Sequence, residues 1–214
     1  MKNSALLLID IQNDFCTGGS LAVDKSDNVV QIANQMIGHF NQTHGVIIAS
    51  QDWHPANHLS FAVNSNTLIG EVGELNGLPQ VWWPVHCVQD SNGADFHPSL
   101  NKHLIEHIIY KGQNRHIDSY SAFFDNDHKY QTGLHTLLQK LNIDHLYILG
   151  IATDYCVKFT VLDALDLGYQ VSVITDGCQG VNIQENDSEE ALAQMQNKGA
   201  RLVISQLILH HNNK

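Results

Sequence analysis

The sequence predicts an α/β chain: a three-layer, doubly wound sheet of six mainly parallel strands with helices on both faces. Two observations carry that expectation. Six short apolar runs recur along the chain, at residues 5–9, 46–50, 107–110, 145–149, 170–174 and 201–204. Amphipathic stretches with a period near 3.6 lie between several of them. Strand, helix and strand in alternation build parallel pairing, and the crossover helices cover the sheet.

Taken in order, the first apolar run ends at Asp10, and a helical pattern follows in residues 28–44, where Val29, Ile32, Ala33, Met36, Ile37 and Phe40 share one face. The second run leads into a long Asn- and Gly-rich stretch from Pro55 to Pro98 with little periodicity. A loop that long in a compact chain is usually functional. After the third run, Leu134, Leu137, Leu138 and Leu141 form a second helical face. Val157, Val161, Ala164, Leu165 and Leu167 form a third, which Gly168 would cap. Asp187 and Glu190 have capping-box spacing ahead of Ala191, Leu192 and Met195. No repeat, linker or low-complexity tract divides the chain, so residues 1–214 are expected to form one domain.

Composition narrows the function classes. The 22 acidic residues against 11 basic ones give a formal charge of -11, which would repel a nucleic-acid backbone. No apolar run approaches the roughly 20 residues that span a bilayer, and the first one lacks signal-peptide features. Cys16, Cys87, Cys156 and Cys178 show no paired spacing, so reduced thiols in the cytoplasm are expected. His210 and His211 read as a solvated tail.

Open parallel sheets bind ligands beyond the carboxyl ends of their strands. Asp10 follows the first run, Gln51-Asp52-Trp53-His54 the second, Lys111-Gly112 the third, and the segment from Gly150 to Cys156 the fourth. A carboxylate, a lysine and a cysteine would therefore meet at one rim. Cys156 opens the third helical pattern, and a helix N-terminus lowers a thiol pKa and can hold an oxyanion. A lone cysteine is more often a packing residue; its neighbours at the rim favour the nucleophile. Asp10 would take the thiol proton and return it to a leaving amine, while Lys111 would stabilise the thiolate. Asp52, His54 and His58, with His86 further along the same stretch, offer one carboxylate and imidazoles, a donor set for Zn, Fe(II) or Mn(II). Loop histidines on the surface are the plainer alternative. Phe15, Trp53, Trp82 and Trp83 lie near these groups and could hold a flat ring or pack the core.

These motifs resemble the nicotinamidases, a branch of the isochorismatase-like cysteine hydrolases. The resemblance runs through Asp10-Ile11-Gln12-Asn13-Asp14-Phe15, Gln51-Asp52-Trp53-His54-Pro55 with His58 and Ser60-Phe61, Trp83-Pro84-Val85-His86-Cys87, Lys111-Gly112 and Gly150 to Cys156. It implies a triad of Asp10, Lys111 and Cys156. It implies one divalent transition metal on Asp52, His54, His58 and His86. Phe15 and Trp83 match the family's ring-stacking aromatics, and Tyr120 matches a pocket tyrosine. The resemblance further implies a cis peptide before Ala152, with the backbone N–H groups of Ala152 and Cys156 as oxyanion hole; Asp154 would shape that turn. The implied reaction is hydrolysis of nicotinamide to nicotinate and ammonia, feeding NAD salvage, with pyrazinamide as a second substrate. A homo-oligomer is an open option. Three rival readings compete with it. An amidase for another small amide would keep the triad without the metal pocket. A vinyl-ether hydrolase would not need Cys156. A non-catalytic relative would be expected to have lost a triad member.

Overall fold

A computed structural model of the chain describes residues 3–210. His210 ends the last helix and is exposed, and His211 lies outside the described residues. Six parallel strands form the sheet: β1 (Ser4–Ile9), β2 (Val46–Asp52), β5 (His107–Lys111), β6 (His145–Ile151), β7 (Gln170–Gln179) and β8 (Arg201–Val203), in the order β5-β2-β1-β6-β7-β8. The expected fold class is therefore met. β1 is buried along its whole length, as an apolar strand in the middle of a covered sheet must be.

The strand order reverses between β1 and β6. From β1 the chain adds β2 and β5 on one side, then crosses over and adds β7 and β8 on the other. Right-handed crossovers running in opposite directions place their helices on opposite faces. Accordingly α1 (Ser26–Gln42) packs on β1, β2, β6 and β7 and against α6 (Ser205–His210), while α4 (Lys158–Asp166) and α5 (Asp187–Lys198) pack on each other and on β7 and β8. α3 (Leu134–Lys140) carries the expected leucines into β6 through a short turn.

Several boundaries differ from the sequence expectation. β2 and β5 each run past the apolar run to a charged residue, pairing Gln51 with Tyr110 and Asp52 with Lys111. Apolar runs stop where the site begins, whereas backbone pairing does not. β7 is twice its expected length and shifts register between Ile148 and Gly150 of β6. The stretch between β2 and β5 contains a short helix α2 (Ala62–Ser65) and an antiparallel hairpin, β3 (Val72–Leu75) and β4 (Leu78–Val81), that no period announces because β3 is largely exposed and β4 only part-buried. The capping box at α5 does not form. Asn186 is the N-cap, and the Asp187 carboxylate accepts instead from the Gln184 N–H at 2.8 Å. Gly168 does follow α4 with φ +89°, a conformation that favours glycine.

Candidate active site

The switch point between β1 and β6 is where an open α/β sheet leaves a crevice. Asp10 follows β1 in the left-handed region, φ 47°. β6 leads through a cis peptide between Ile151 and Ala152 into a π-helical turn, Thr153–Val157, that carries Cys156. Cys156 thus sits one turn ahead of α4, in a wider turn than the first α-helical turn expected for it. Asp154 shapes the turn from below: its carboxylate accepts from the N–H groups of Val181 at 3.0 Å and Asn182 at 2.8 Å.

Lys111 ties the rim together. Its side chain is fully buried, and Nζ lies 2.9 Å from Asp10 Oδ2, against Asp52 Oδ1, and 3.4 Å from Cys156 Sγ; it also donates to the Ser119 carbonyl at 2.9 Å. Ser50 Oγ donates to the other Asp10 oxygen at 2.7 Å. The Gln12 side-chain amide fixes Asp52 from behind, donating to its carbonyl and accepting from its N–H, both at 2.8 Å. A buried lysine between two buried carboxylates offsets only one of their two charges.

The electrostatics divide these groups by task. Burial pushes the Asp10 carboxyl above its usual range, and the Lys111 charge offsets this only in part. Burial likewise pushes the Cys156 thiol well above its ordinary value, against the pull of Lys111. Burial alone would lower Lys111, but the charges of Asp10 and Asp52 outweigh it and hold the ammonium well above its usual value. Burial would raise Asp52, yet Lys111 and His54 bring it below the usual carboxylate range. The resting thiol is thus protonated and needs a base. The adjacent carboxyl with a raised pKa is Asp10.

The second cluster shares Asp52. His54 Nε2 and His86 Nε2 lie 3.6 and 3.8 Å from Asp52 Oδ2, and the three side chains are buried with their ligand atoms within 4.8 Å of one another. His54 Nδ1 faces the Gly112 carbonyl at 2.9 Å and His86 Nδ1 the Pro84 carbonyl at 2.8 Å. A carbonyl only accepts, so both Nδ1 atoms carry a proton and both Nε2 atoms face Asp52, the usual arrangement behind metal-bound imidazoles. Burial would lower the His54 pKa, but the Asp52 charge raises it. His54 Nε2 is buried with no hydrogen-bond partner, a cost that a bound cation would remove. Gly112 permits this packing: at φ +69°, a Cβ on it would lie 2.4 Å from the His54 ring. The trio therefore fits a divalent metal.

His58 is held differently from the expectation. Ser60 N–H donates to its Nδ1 at 3.1 Å, which leaves Nε2 to donate to the Ile117 carbonyl at 3.3 Å. Both ring nitrogens are engaged, and His58 groups with His54 and Asp118 rather than with Asp52 and His86. Burial lowers the pKa of His58 and of His86 to about 4, so each stays neutral.

One cavity joins the two clusters. Phe15, Trp83, Tyr120 and Tyr155 wall it, and Asp52, His86, Asp118, Ala152 and Cys156 reach it. Its free volume is about 30 Å³, far below the roughly 300–1,000 Å³ of small-ligand pockets, so the aromatic walls stand close together here. Aromatic walls in so small a space suit a small flat ligand rather than a nucleotide. Trp83 meets Tyr155 edge-on at 4.9 Å, and Tyr120 meets Tyr155 at 5.3 Å. Trp53 packs instead on Tyr110 at 4.8 Å, away from the cavity lining.

Sequence reasoning missed Asp118, Tyr155 and Gln12. Tyr155 adjoins the nucleophile and could have been found by asking which neighbour shares its face. Asp118 sits in an irregular stretch with no period to flag it. The remaining cysteines, Cys16, Cys87 and Cys178, are buried and free.

Comparison with known proteins bears on these groups. Residues 4–206 match the family described as the isochorismatase domain. The chain is 54% identical to the nicotinamidase of Escherichia coli K12 over 202 residues, covering 94% of this chain and 95% of that protein. It superposes on the nicotinamidase/pyrazinamidase of Acinetobacter baumannii with a TM-score of 0.92 at 42% identity, covering 97% and 99% of the two chains. It superposes on a zinc complex of the pyrazinamidase of Pyrococcus horikoshii with a TM-score of 0.78 at 34% identity, covering 94% and 99%.

Proposed function

The chain belongs to the isochorismatase domain family, and from that premise we infer the reaction and the part each residue plays in it. It is an amidohydrolase that converts nicotinamide to nicotinate and ammonia, and nicotinate feeds NAD salvage; pyrazinamide is a second substrate of the same class. The observation that carries this is the shared cavity: Cys156, the aromatic walls and the Asp52–His86 edge line one small space.

We assign the roles as follows. Asp10 accepts the Cys156 proton, and the thiolate attacks the carboxamide carbon. The backbone N–H groups of Ala152 and Cys156 hold the developing oxyanion. Lys111 stays charged throughout and neutralises Asp10, Asp52 and the thiolate in turn. Asp10 passes its proton to the amide nitrogen, the C–N bond breaks and ammonia leaves. Asp10 then deprotonates a water that attacks the thioester, and nicotinate departs with the Cys156 thiol restored. Phe15, Trp83 and Tyr120 hold the ring so that the amide meets Sγ. Asp52, His54 and His86 would hold a Zn, Fe(II) or Mn(II) ion, which would supply a Lewis-acid contact for the pyridine nitrogen and orient the ring. We place the enzyme in the cytoplasm without nucleic-acid or membrane partners, supported by its acidic charge and free thiols. No helix among the described residues is long and apolar enough to cross a membrane.

Incubating purified protein with nicotinamide tests the activity. Nicotinate and ammonia should appear in equal amounts, and no release above the protein-free blank would sink the assignment.

A further inference from the structure

In the hairpin β3–β4, three of the four β3 residues face solvent, and β4 is mostly part-buried. Gln80 departs from that pattern. It is 3% exposed, and its amide is the buried polar group that β4 sends toward the site. Gln80 Nε2 lies 2.7 Å from the Val81 carbonyl, 3.0 Å from Asp118 Oδ2 and 3.3 Å from Tyr120 Oη, so its two N–H groups serve three acceptors and the Tyr120 contact is a shared one. Trp83 Nε1 donates to the same Tyr120 oxygen, also at 3.3 Å. A phenol oxygen has two lone pairs, so Tyr120 Oη can accept from Gln80 and Trp83 together. Grooves lie on both sides of the hairpin, one facing Lys158 and Glu190, the other facing Asn126 and His128. The hairpin is thus flanked by open space, and the Gln80 amide holds it to the wall.

The rotation of an indole ring in a contact with other rings is only loosely set by van der Waals packing. A directional hydrogen bond at Nε1 sets it better. We propose that Gln80 is a positioning residue: through Tyr120 Oη it fixes the plane of Trp83, and so determines how tightly the cavity holds the substrate ring. Gln80 does not line the Cys156 cavity, so its effect falls on ring binding rather than on the bond-making groups.

The kinetic arm of the test rests on the nicotinamide activity proposed above; a second arm does not. Gln80→Leu keeps the bulk and removes the amide. It should raise KM for nicotinamide about tenfold with kcat within threefold of the parent. Leu78→Ala, which loosens the same strand without touching the amide, should leave KM within twofold. In 5-fluorotryptophan protein, the Trp83 fluorine resonance, assigned by its loss in Trp83→Phe, should shift or broaden in Gln80→Leu and not in Leu78→Ala. An unchanged Trp83 resonance in a folded Gln80→Leu protein would overturn the proposal. So would a KM rise in Leu78→Ala equal to that in Gln80→Leu, since loosening of the hairpin would then explain both. A parent protein without nicotinamide hydrolysis would remove the functional assignment, while the fluorine arm would still decide the positioning role.

Discussion

Asp10, Asp52, Lys111 and Cys156 stand at or just beyond the ends of four strands, whereas Trp83, His86 and the hairpin come from a stretch with little regular structure. The two regions meet in one cavity but are positioned by different forces. At the rim, backbone pairing does the placing: the register that pairs Ala49 with Ile108 also sets Asp52 opposite Lys111. In the stretch between β2 and β5, side chains do it. Asp14 Oδ2 accepts from the Cys87 N–H at 2.7 Å, the Pro84 carbonyl orients His86, and Gln80 reaches Asp118 and Tyr120. A buried ladder tolerates no partial change, while a set of side-chain bonds can be altered one at a time. Chemistry should therefore fail abruptly when the rim is disturbed, and recognition should fail by degrees when the other region is.

The largest effect is expected at the rim. Cys156→Ala, Asp10→Asn and Lys111→Ala should each lower kcat/KM by at least about three orders of magnitude, and the Asp10→Asn/Lys111→Ala pair should be little worse than either single change, because these groups act as a unit. Lys111→Ala should also lower stability by about 3–5 kcal/mol, read from denaturant unfolding, since it strands two buried carboxylates. Strictly additive rate losses would break the comparison by showing that the rim residues act independently.

A smaller effect is expected where the substrate ring meets the Asp52–His54–His86 trio. Benzamide keeps the scissile amide and the ring shape but lacks the pyridine nitrogen. A site built around a polar contact rejects an analogue without it, and a loss of roughly 3 kcal/mol lowers kcat/KM by about two orders of magnitude. Equal kcat/KM for the two amides in metal-loaded protein would mean that this edge does not read the ring nitrogen.

A further comparison separates two histidines that sequence spacing treats alike. His86→Ala should lower metal retention against a competing chelator by on the order of 100-fold, at least the cost of losing an outer-shell partner. His58→Ala should change it by less than about threefold, because both His58 nitrogens are already engaged with Ser60 and Ile117. Comparable metal loss in both variants would return His58 to the ligand set.

The legible part of this protein follows the same division. Strand existence and order of chemistry could be read because apolar runs recur and stop at Asp10, Asp52, Lys111 and the turn before Cys156. Their ends could not, since polar residues continue the pairing in β2 and β5. The hairpin had no signal because an exposed strand paired with a part-buried one needs no apolar alternation. Asp187 and Glu190 have the spacing of a capping box, yet Asn186 caps α5, because the Asp187 carboxylate is drawn to the Gln184 N–H.

By itself the sequence determined the fold class and the residue types gathered at the carboxyl ends of the strands, because a covered parallel sheet requires continuous apolar runs and leaves only the residues beyond their ends free for chemistry. Only the tertiary structure decided how those residues are shared. It placed Lys111 between two carboxylates, so that Asp52 serves the lysine and the histidines at once. It engaged both His58 ring nitrogens with Ser60 and Ile117 and brought the Gln80 amide to Tyr120. These partnerships join residues far apart in the chain, and the directions of single lone pairs and N–H bonds fix them; residue spacing carries no record of those directions.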